Sequence, residues 1–336
     1  GKDAHKYDDA FFEIQKAIRY YLDRNVKSST SQLVGNQDFD SGISRDELPN
    51  GPKTSPHPQL TGRLLQRFIV VPEVKLLFCY VEKVGCSMFN HLFRMLRLSL
   101  PEVSRNSTEA MFQSNFTWFR NGPKHHGITK IQLEKLMIDP AWTKAVLYRD
   151  PVTRFLSAFR SKCERGHDVT LDCIRVFGKR YVDFEEALAR MTKSPMPMNP
   201  HFAPASDFCG GLGATLDYYD VVHELTAETA PQHVEALLNK VGVEPKLTNS
   251  LVNDIVRTRG AAGGDKDKQL AAKLGIELGV ANTQSKSHNT GANQYLCKYF
   301  DTQEKLTAIT DAYAMDYATF EIKPRNITCS VSERIR

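Results

Sequence analysis

The sequence predicts an α/β fold in which a parallel β-sheet is flanked by helices. Three apolar runs of strand length lie at 74–81, 144–148 and 218–222, and each is followed by apolar side chains at helical spacing. Strands that alternate with helices are typical of parallel sheets, because the chain crosses back through a helix before the next strand. A hydrophobic fraction of 41% over 336 residues is sufficient for a substantial core, so we expect a single globular domain overall.

The first 61 residues are predicted to form an N-terminal helix and an irregular strap. Apolar side chains from Phe11 to Leu22 recur at helical spacing, which predicts an amphipathic helix over 8–23. Residues 27–61 are rich in Ser, Asn, Gly, Pro and Asp and show little periodicity, which is typical of a long loop. The main folded domain is then expected over 62–336.

The first strand and the loop after it form an anion-binding pattern. The apolar run Val74–Val81 ends in a loop that contains Lys83, Gly85 and Ser87, and a helical pattern follows. A lysine, free backbone N–H groups and the positive end of a helix dipole would all favour an anion there. An ATP or GTP P-loop is disfavoured, because the Walker lysine directly precedes the hydroxyl residue, whereas Lys83 precedes Ser87 by four positions.

The second strand ends in another basic loop. Ligands bind at the carboxyl ends of parallel strands, so the loops at 82–87 and 149–157 are expected to share one crevice if their strands are neighbours. Arg149 and Ser157 offer a guanidinium fork and a hydroxyl group for a second phosphate, so one bisphosphorylated nucleotide would satisfy both loops. The other predicted elements are helices over 128–137, from Pro151, over 183–191, around 234–241 and over 302–320, and a loop over 192–213.

Composition narrows the class of partner. The 44 Lys and Arg residues exceed the 39 Asp and Glu residues, and the resulting charge of +5 suits an anionic ligand. No long Lys/Arg run is present, so nucleic acid is not expected as a partner. The seven cysteines include no C-x-x-C pair, so no metal site is expected. The chain begins with Gly1 and shows neither a signal-peptide core nor a membrane-length apolar run, so its start is interpreted as trimmed.

Sequons and cysteines favour a secretory compartment. Sequons occur at Asn106, Asn115 and Asn326, and N-glycosylation marks secreted proteins. Cys79 and Cys86 lie in the apolar strand and its loop, where they are interpreted as small apolar residues. The odd number of cysteines leaves at least one unpaired. Disulfides are expected, if the chain is luminal, among Cys163, Cys173, Cys209, Cys297 and Cys329.

The two basic loops resemble the donor-binding motifs of sulfotransferases. EKVGCSMFNHLF, at 82–93, resembles the 5′-phosphosulfate loop P-K-x-G-C/S-S/T, although Glu82 stands where proline is usual. YRDPVTRFLSAFRSKC, at 148–163, resembles the 3′-phosphate motif R-D/E/H-P-x-x-R-x-x-S-x-F/Y. The chain is most similar to the Golgi carbohydrate sulfotransferases of the chondroitin and dermatan type. That likeness is reinforced by Asn199-Pro200-His201-Phe202, Tyr219-Asp220-Val221-Val222, Tyr299-Phe300, Asp316-Tyr317 and Phe320.

The resemblance implies a donor, a fold and a set of binding residues. The donor would be 3′-phosphoadenosine 5′-phosphosulfate (PAPS), the product PAP, and the fold P-loop-kinase-like, with no metal required. Lys83 would stabilise the charge that develops on the leaving oxygen as the sulfuryl group is displaced in line. The residues implied in donor binding are Lys83, Val84, Gly85, Cys86, Ser87 and Met88 at the phosphosulfate, Arg149 and Ser157 at the 3′-phosphate, and His288 and Thr290 in a closing loop.

An acceptor hydroxyl also needs a general base. In related sulfotransferases a histidine about two dozen residues before the 3′-phosphate arginine often serves, so His126 or His125 is the first candidate and His201 the rival. Arg154 either joins the 3′-phosphate site or pairs with Asp150 or Glu164. Five basic residues either bind an anionic glycan or form a solvated helix face: Arg160, Lys162, Arg165, Lys179 and Arg180.

The resemblance also implies a location and an acceptor class. It implies a protein of the Golgi lumen that is a type II membrane protein in full length. The acceptor would be a glycan or polysaccharide, and an anionic glycan is one candidate. Two alternatives stay open. A tyrosylprotein or small-molecule sulfotransferase would use the same donor loops, and an inactive nucleotide- or glycan-binding relative would bind the donor without turnover.

Overall fold

A computed structural model describes residues 58–61, 64–100, 122–123, 127–165, 171–193, 199–257 and 292–327. Several predictions lie outside these described residues and stay predictions. They concern the N-terminal helix over 8–23, almost all of the strap over 27–61, the sequon residues Asn106 and Asn115, and the candidate site residues His125, His126, His288 and Thr290.

One four-stranded sheet, in the order β1-β2-β3-β4, organises the described residues. β1 (Phe68–Val71) is antiparallel to β2 (Leu76–Cys79), β3 (Thr143–Tyr148) is parallel to β2, and β4 (Val221–Glu224) is parallel to β3. The predicted α/β fold is therefore confirmed. β2 lies between two strands and its side chains are all buried, which explains its uninterrupted apolar sequence.

The strands differ from the prediction in three main respects. The strand predicted over 74–81 covers only Leu76–Cys79, because Pro72–Val74 form a 3₁₀ turn and Lys75 has a φ of +48°. The sequence does not predict β1, because a four-residue apolar run cannot be told from a buried turn by periodicity alone. The strand predicted over 218–222 begins at Val221, since Leu216–Tyr218 form a 3₁₀ turn, and it extends to Glu224. Glu224 therefore lies at the carboxyl end of a strand and not in a connection.

The helices flank this sheet. They are α1 (Cys86–Ser99), α2 (Lys130–Ile138), α3 (Pro151–Lys162), α4 (Leu171–Phe177), α5 (Phe184–Met191), α6 (Leu212–Thr215), α7 (Ala230–Lys240), α8 (Pro245–Leu251), α9 (Leu296–Tyr299), α10 (Gln303–Ala312) and α11 (Ala314–Thr319). Shorter 3₁₀ segments are Leu65–Arg67, Pro72–Val74, Ala205–Gly210 and Ala292–Tyr295, and Val252–Val256 is a π-helix. Among the described residues no helix is both long and apolar enough to cross a membrane.

Two helical predictions need correction. The final helix predicted over 302–320 is two helices, because the chain leaves helical geometry at Tyr313, whose buried hydroxyl donates to the carbonyl oxygen of Phe202 at 2.7 Å. The loop predicted over 192–213 contains the 3₁₀ segment Ala205–Gly210 and the first residues of α6. In both places a tertiary contact or a short turn overrides the local pattern.

Aromatic packing fixes the helices that follow β2 and β3. The ring of Phe78 on β2 lies 4.6 Å from that of Phe89 and 5.0 Å from that of Phe93, both on α1. On α3, the ring of Phe159 lies 5.3 Å from that of Phe184, in an edge-to-face arrangement. Since α1 and α3 are anchored in this way, the loops that precede them are held at the carboxyl edge of the sheet.

Arg154 is a buried structural residue. It is 1% exposed, donates to the carbonyl oxygen of Ala203, and lies 3.8 Å from Oδ2 of Asp316. The prediction that it pairs with Asp150 or Glu164 is wrong. The carboxylate of Asp150 instead caps α3 by accepting from the backbone N–H of Thr153 at 2.9 Å.

Two disulfides join pairs of cysteines within the described residues. Cys163 pairs with Cys173, as predicted for a luminal protein, and Cys79 pairs with Cys209. Cys79 is therefore not merely a small apolar residue, because β2 brings it within bonding distance of the segment Ala205–Gly210. Cys86 has a free thiol, and Cys297 is also disulfide-bonded.

Removal of the Cys79–Cys209 bridge, with Cys79→Ala and Cys209→Ala together, is expected to lower the free energy of unfolding by about 2–5 kcal/mol. The two cysteines are 130 residues apart, so the bridge restricts a long loop of the unfolded chain. The Cys163–Cys173 bridge spans 10 residues and is the matched control, which should cost about 2 kcal/mol less. Urea unfolding measures both, and equal losses would contradict this loop-length account.

Candidate active site

The carboxyl ends of β2 and β3 bring two basic loops together. The loop after β2 spans 80–85, and the chain after β3 begins with Arg149. Nη1 of Arg149 donates to the carbonyl oxygen of Lys83 at 3.4 Å. The two loops therefore meet at one edge of the sheet, because their strands are parallel neighbours.

The loop after β2 presents the open end of a helix. Gly85 precedes α1 with a φ of +68°, and a Cβ at this position would lie 3.2 Å from Cδ2 of Leu225. Gly85 is the N-cap residue of α1 and has no side chain that could accept a hydrogen bond. The first turn, which contains Cys86, Ser87 and Met88, therefore has no side-chain cap at this position. The amide of Val84 donates to the carbonyl oxygen of Val81, so Val84 contributes chiefly to the loop's shape.

Lys83 is a half-buried cation within this loop. Its φ of +69° is unusual for a residue with a side chain, and such conformations cluster at functional sites. Its Nζ donates to Oγ of Ser161 on α3 at 2.7 Å. Burial lowers the pKa of Lys83 to about 8, and the nearby cations of Lys162 and Arg149 add to the decrease. An anion placed here would therefore relieve both the desolvation and the repulsion.

Arg149 contacts the loop of Lys83, and Ser157 lies on the helix α3 that follows Arg149. Burial lowers the pKa of Arg149 to about 10, and its Nη2 also donates to Oδ1 of Asn293 at 3.3 Å. Ser157 is 4% exposed and lies one helical turn before Ser161 on α3. Because residues four apart share a helix face, Lys83 contacts the face that carries Ser157. Lys83, Gly85 and Arg149 therefore lie at the carboxyl edge of the sheet, and Ser157 lies on the helix that begins there.

Two residues near Lys83, Glu82 and Cys86, have pKa values that burial shifts upward. Burial raises the pKa of Glu82 to about 7, although Nε of Arg67 lies 2.7 Å from its Oε1. Burial also raises the pKa of the Cys86 thiol. A thiol that stays protonated at neutral pH is a poor nucleophile, so Cys86 does not point to covalent catalysis.

His201 lies in a polar cluster beside the same helix α3. Its Nε2 is 3.4 Å from Oδ2 of Asp172, and its backbone N–H donates to Oδ1 of Asn199 at 2.9 Å. Lys162, the residue after Ser161, places its Nζ 3.2 Å from the same carboxylate oxygen. Burial lowers the pKa of His201 to about 3, and Lys162 and Lys83 contribute, so the imidazole is neutral near pH 7.

Comparison with known proteins decides the family. The Sulfotransferase family pattern matches residues 66–323, which include both basic loops and the whole sheet. The chain belongs to the sulfotransferase family. Several proteins to which the chain is similar are named carbohydrate sulfotransferases.

Each match covers only part of the relative's own length. Carbohydrate sulfotransferase 12 of Xenopus laevis is 29% identical over 176 residues, which cover 47% of this chain and 36% of the relative. Carbohydrate sulfotransferase 14 of Danio rerio is 24% identical over 235 residues, which cover 62% of this chain and 61% of the relative. The sulfotransferase described here thus spans between about a third and three fifths of these relatives. No solved structure matched it significantly.

Most of the predicted basic cluster of this sulfotransferase is engaged within the protein. Nε of Arg160 lies 2.9 Å from Oε2 of Glu164, and its guanidinium stacks 3.6 Å from the centre of the Tyr295 ring. Lys179 pairs with Glu186 at 2.8 Å. With Lys162, three of the five side chains thus have partners within the protein, and Arg160 is buried, so it does not lie on the predicted solvated face.

The candidate site contains residues that the sequence analysis does not identify. Nε of Arg325 lies 3.4 Å from Oδ2 of Asp150, and its Nη2 lies 3.8 Å from Oε1 of Glu224 at the end of β4. Asp172 joins His201 in the same way, by a long-range contact. No local motif marks either residue, so only the fold reveals them. Among the described residues, no three His, Cys, Asp or Glu side chains come together as a metal site.

Proposed function

We propose that this sulfotransferase moves a sulfuryl group from PAPS to a carbohydrate hydroxyl by in-line displacement. The observation that carries the proposal is the meeting of Lys83 and Arg149, two half-buried cations at adjacent strand ends, joined by the hydrogen bond from Arg149 to the Lys83 carbonyl oxygen. Two cationic loops in contact suit a ligand with two separate phosphate groups. PAPS has this chemistry.

The residues present fit such a donor. Gly85 is exposed at the N-terminus of α1, where backbone N–H groups and the helix dipole favour a phosphate, and its φ of +68° is one that glycine adopts readily. The helix end has no capping side chain at Gly85, and Lys83 supplies the charge beside it. Arg149 offers a planar fork for the second phosphate. The fit therefore rests on shape and charge in the two loops that meet.

Each group has a proposed role. Lys83 stabilises the negative charge that develops on the leaving phosphate oxygen, where a preorganised cation has its largest effect. Gly85, Cys86, Ser87 and Met88 line the 5′-phosphosulfate with the first turn of α1, with Val84 shaping the loop. Arg149 and Ser157 hold the 3′-phosphate. His288 and Thr290 stay proposed as donor contacts, and His125, His126 and His201 as candidates for the base.

The carbohydrate acceptor and the compartment are proposed from independent features. The relatives that match are named carbohydrate sulfotransferases, which supports a glycan acceptor. Disulfides are typical of oxidising compartments, so the two described bridges support a Golgi lumen location. A type II membrane anchor in the full-length protein is part of the same proposal.

A transfer assay with ³⁵S-labelled PAPS tests the proposed function. The acceptors are desulfated chondroitin, desulfated dermatan, a tyrosine-containing acidic peptide and a simple phenol. We expect label on a glycan and none on the peptide or the phenol. Label on the peptide or phenol alone would favour the other sulfotransferase classes. Binding of PAP without any transfer would identify an inactive relative, and either result would overturn the proposal.

A further inference from the structure

A series of contacts leads from the donor lysine to His201. Nζ of Lys83 donates to Oγ of Ser161 at 2.7 Å, near the end of α3. The next residue, Lys162, lies 3.2 Å from Oδ2 of Asp172 on α4, and the same oxygen lies 3.4 Å from Nε2 of His201. Two consecutive residues of one helix thus connect the loop that would bind the donor with the imidazole.

Asp172 is held in a fixed position by several donors. Its Oδ1 accepts from Nδ2 of Asn199 at 2.9 Å, while its Oδ2 faces Lys162 and His201. Burial alone would raise the pKa of Asp172, but His201, Asn199 and Lys162 together lower it, so the carboxylate stays ionised. Asn199 also accepts from the backbone N–H of His201. The carboxylate and the turn that carries the imidazole are therefore fixed relative to each other.

The two ring nitrogens of His201 differ in their surroundings. Nε2 faces the carboxylate, which favours the tautomer with the proton on Nε2. Nδ1 then keeps the lone pair, and it is buried without a hydrogen-bond partner. An unpartnered buried nitrogen is costly, so a hydrogen-bond donor is expected to satisfy it. Catalytic hydrogen bonds often form only in the substrate complex, so we expect Nδ1 to accept from the acceptor hydroxyl when an acceptor binds, while Nε2 stays at Asp172.

We propose that His201 takes the proton of the acceptor hydroxyl and that Asp172 is its positioning residue. This inference rests on the proposed function. The acceptor oxygen forms a bond to sulfur while the bond from sulfur to the phosphate oxygen breaks. The electron pair of that bond leaves with the phosphate, and the hydroxyl proton moves to the ring nitrogen that Asp172 does not hold. Asp172 stabilises the resulting imidazolium and does not itself become protonated.

The charged groups around His201 set when it acts as a base. Beyond burial, the cations of Lys162, Lys83 and Arg67 lower its pKa, and Asp172 raises it. An anionic donor held at Lys83 offsets one of these cations. The imidazole therefore gains basicity when the donor is bound, which couples proton removal to a loaded site.

The test compares kcat at saturating donor, from the lowest pH at which the protein stays folded up to pH 8, in two variants with opposite expected shifts. Asp172→Asn removes the charge that raises the base's pKa, so the acidic limb moves to lower pH and the plateau falls by about 10²-fold or more. Lys162→Met removes a cation that lowers it, so the limb moves to higher pH. Asp172→Glu, which restores a carboxylate, is expected to recover part of the plateau.

Controls separate positioning from folding and from donor binding. Glu185→Gln removes another carboxylate that pairs with a lysine, Lys305 at 2.8 Å, and should change neither the limb nor the plateau. The Kd for PAP is expected to change much less than kcat in Asp172→Asn, because the carboxylate makes no hydrogen bond to Lys83 and acts on it only through space. A lower plateau with an unmoved limb, or weaker PAP binding with an intact kcat, would overturn the inference.

Two measurements distinguish an error in this inference from an error in the proposed function. If the unmodified protein transfers no sulfate to any glycan, the function fails. If the unmodified protein is active and His201→Ala retains its kcat, the function stands and this inference is wrong. In that case His125 or His126 becomes the base to test by the same pH profile.

Discussion

Lys83→Met is expected to lower kcat by about 10²–10³-fold, which corresponds to about 2.7–4 kcal/mol of lost transition-state stabilisation. The half-buried ammonium lies in the loop before α1, where a leaving phosphate oxygen would gain charge. A low-dielectric setting strengthens this interaction relative to water. Steady-state rates with labelled PAPS and an active glycan measure the effect.

A matched lysine and a pH titration sharpen this test. Lys130→Met removes an exposed lysine of α2 that pairs with Glu134 at 3.6 Å, and it should leave kcat unchanged. A bound anion favours the protonated amine, so donor binding by the unmodified protein should weaken as pH rises through about 8, where Lys83 loses its proton. Lys83→Met should lack this step. Full activity of the variant would remove the proposed role of Lys83.

Arg149→Ala is expected to abolish the preference for a nucleotide with a 3′-phosphate. A hydrogen bond to a charged group contributes about 1.5–3 kcal/mol, so the unmodified protein should bind PAP about 10- to 150-fold more tightly than AMP. In the variant the two Kd values should converge, because the second phosphate has lost its fork. Isothermal titration of both nucleotides against both proteins measures this coupling as a double-mutant cycle.

Two further variants control for charge and for general effects. Arg149→Lys keeps a cation but loses the planar fork, so it should recover only part of the preference. Arg180→Ala removes an exposed arginine whose guanidinium lies 5.7 Å from the Tyr181 ring, and it should leave both Kd values as they are. An Arg149→Ala protein that still prefers PAP by the original ratio would place the 3′-phosphate elsewhere.

The sequence predicts the meeting of the two basic loops because its determinants are local. Lys83, Gly85 and Ser87 lie within five consecutive residues, and Arg149 and Ser157 belong to one strand-to-helix connection. The alternation of strands and helices makes these connections parallel neighbours, which brings their ends together. Fold and charge at this edge therefore follow from short-range patterns.

The remaining features depend on contacts between distant residues. The pairing of Cys79 with Cys209 and of Arg154 with Asp316 is decided by how β2, α3 and α11 pack, and spacing along the chain cannot select one partner among several. The contact of Asp172 with His201 is of the same kind. β1 is missed for a different reason, since four apolar residues carry too little periodicity.

A crystal structure with bound PAP would show which loops hold the nucleotide. We expect the 5′-phosphate against Lys83, Ser87 and the first turn of α1, and the 3′-phosphate against Arg149 and Ser157. A nucleotide bound away from these loops, or one whose 3′-phosphate contacts neither Arg149 nor Ser157, would contradict this expectation.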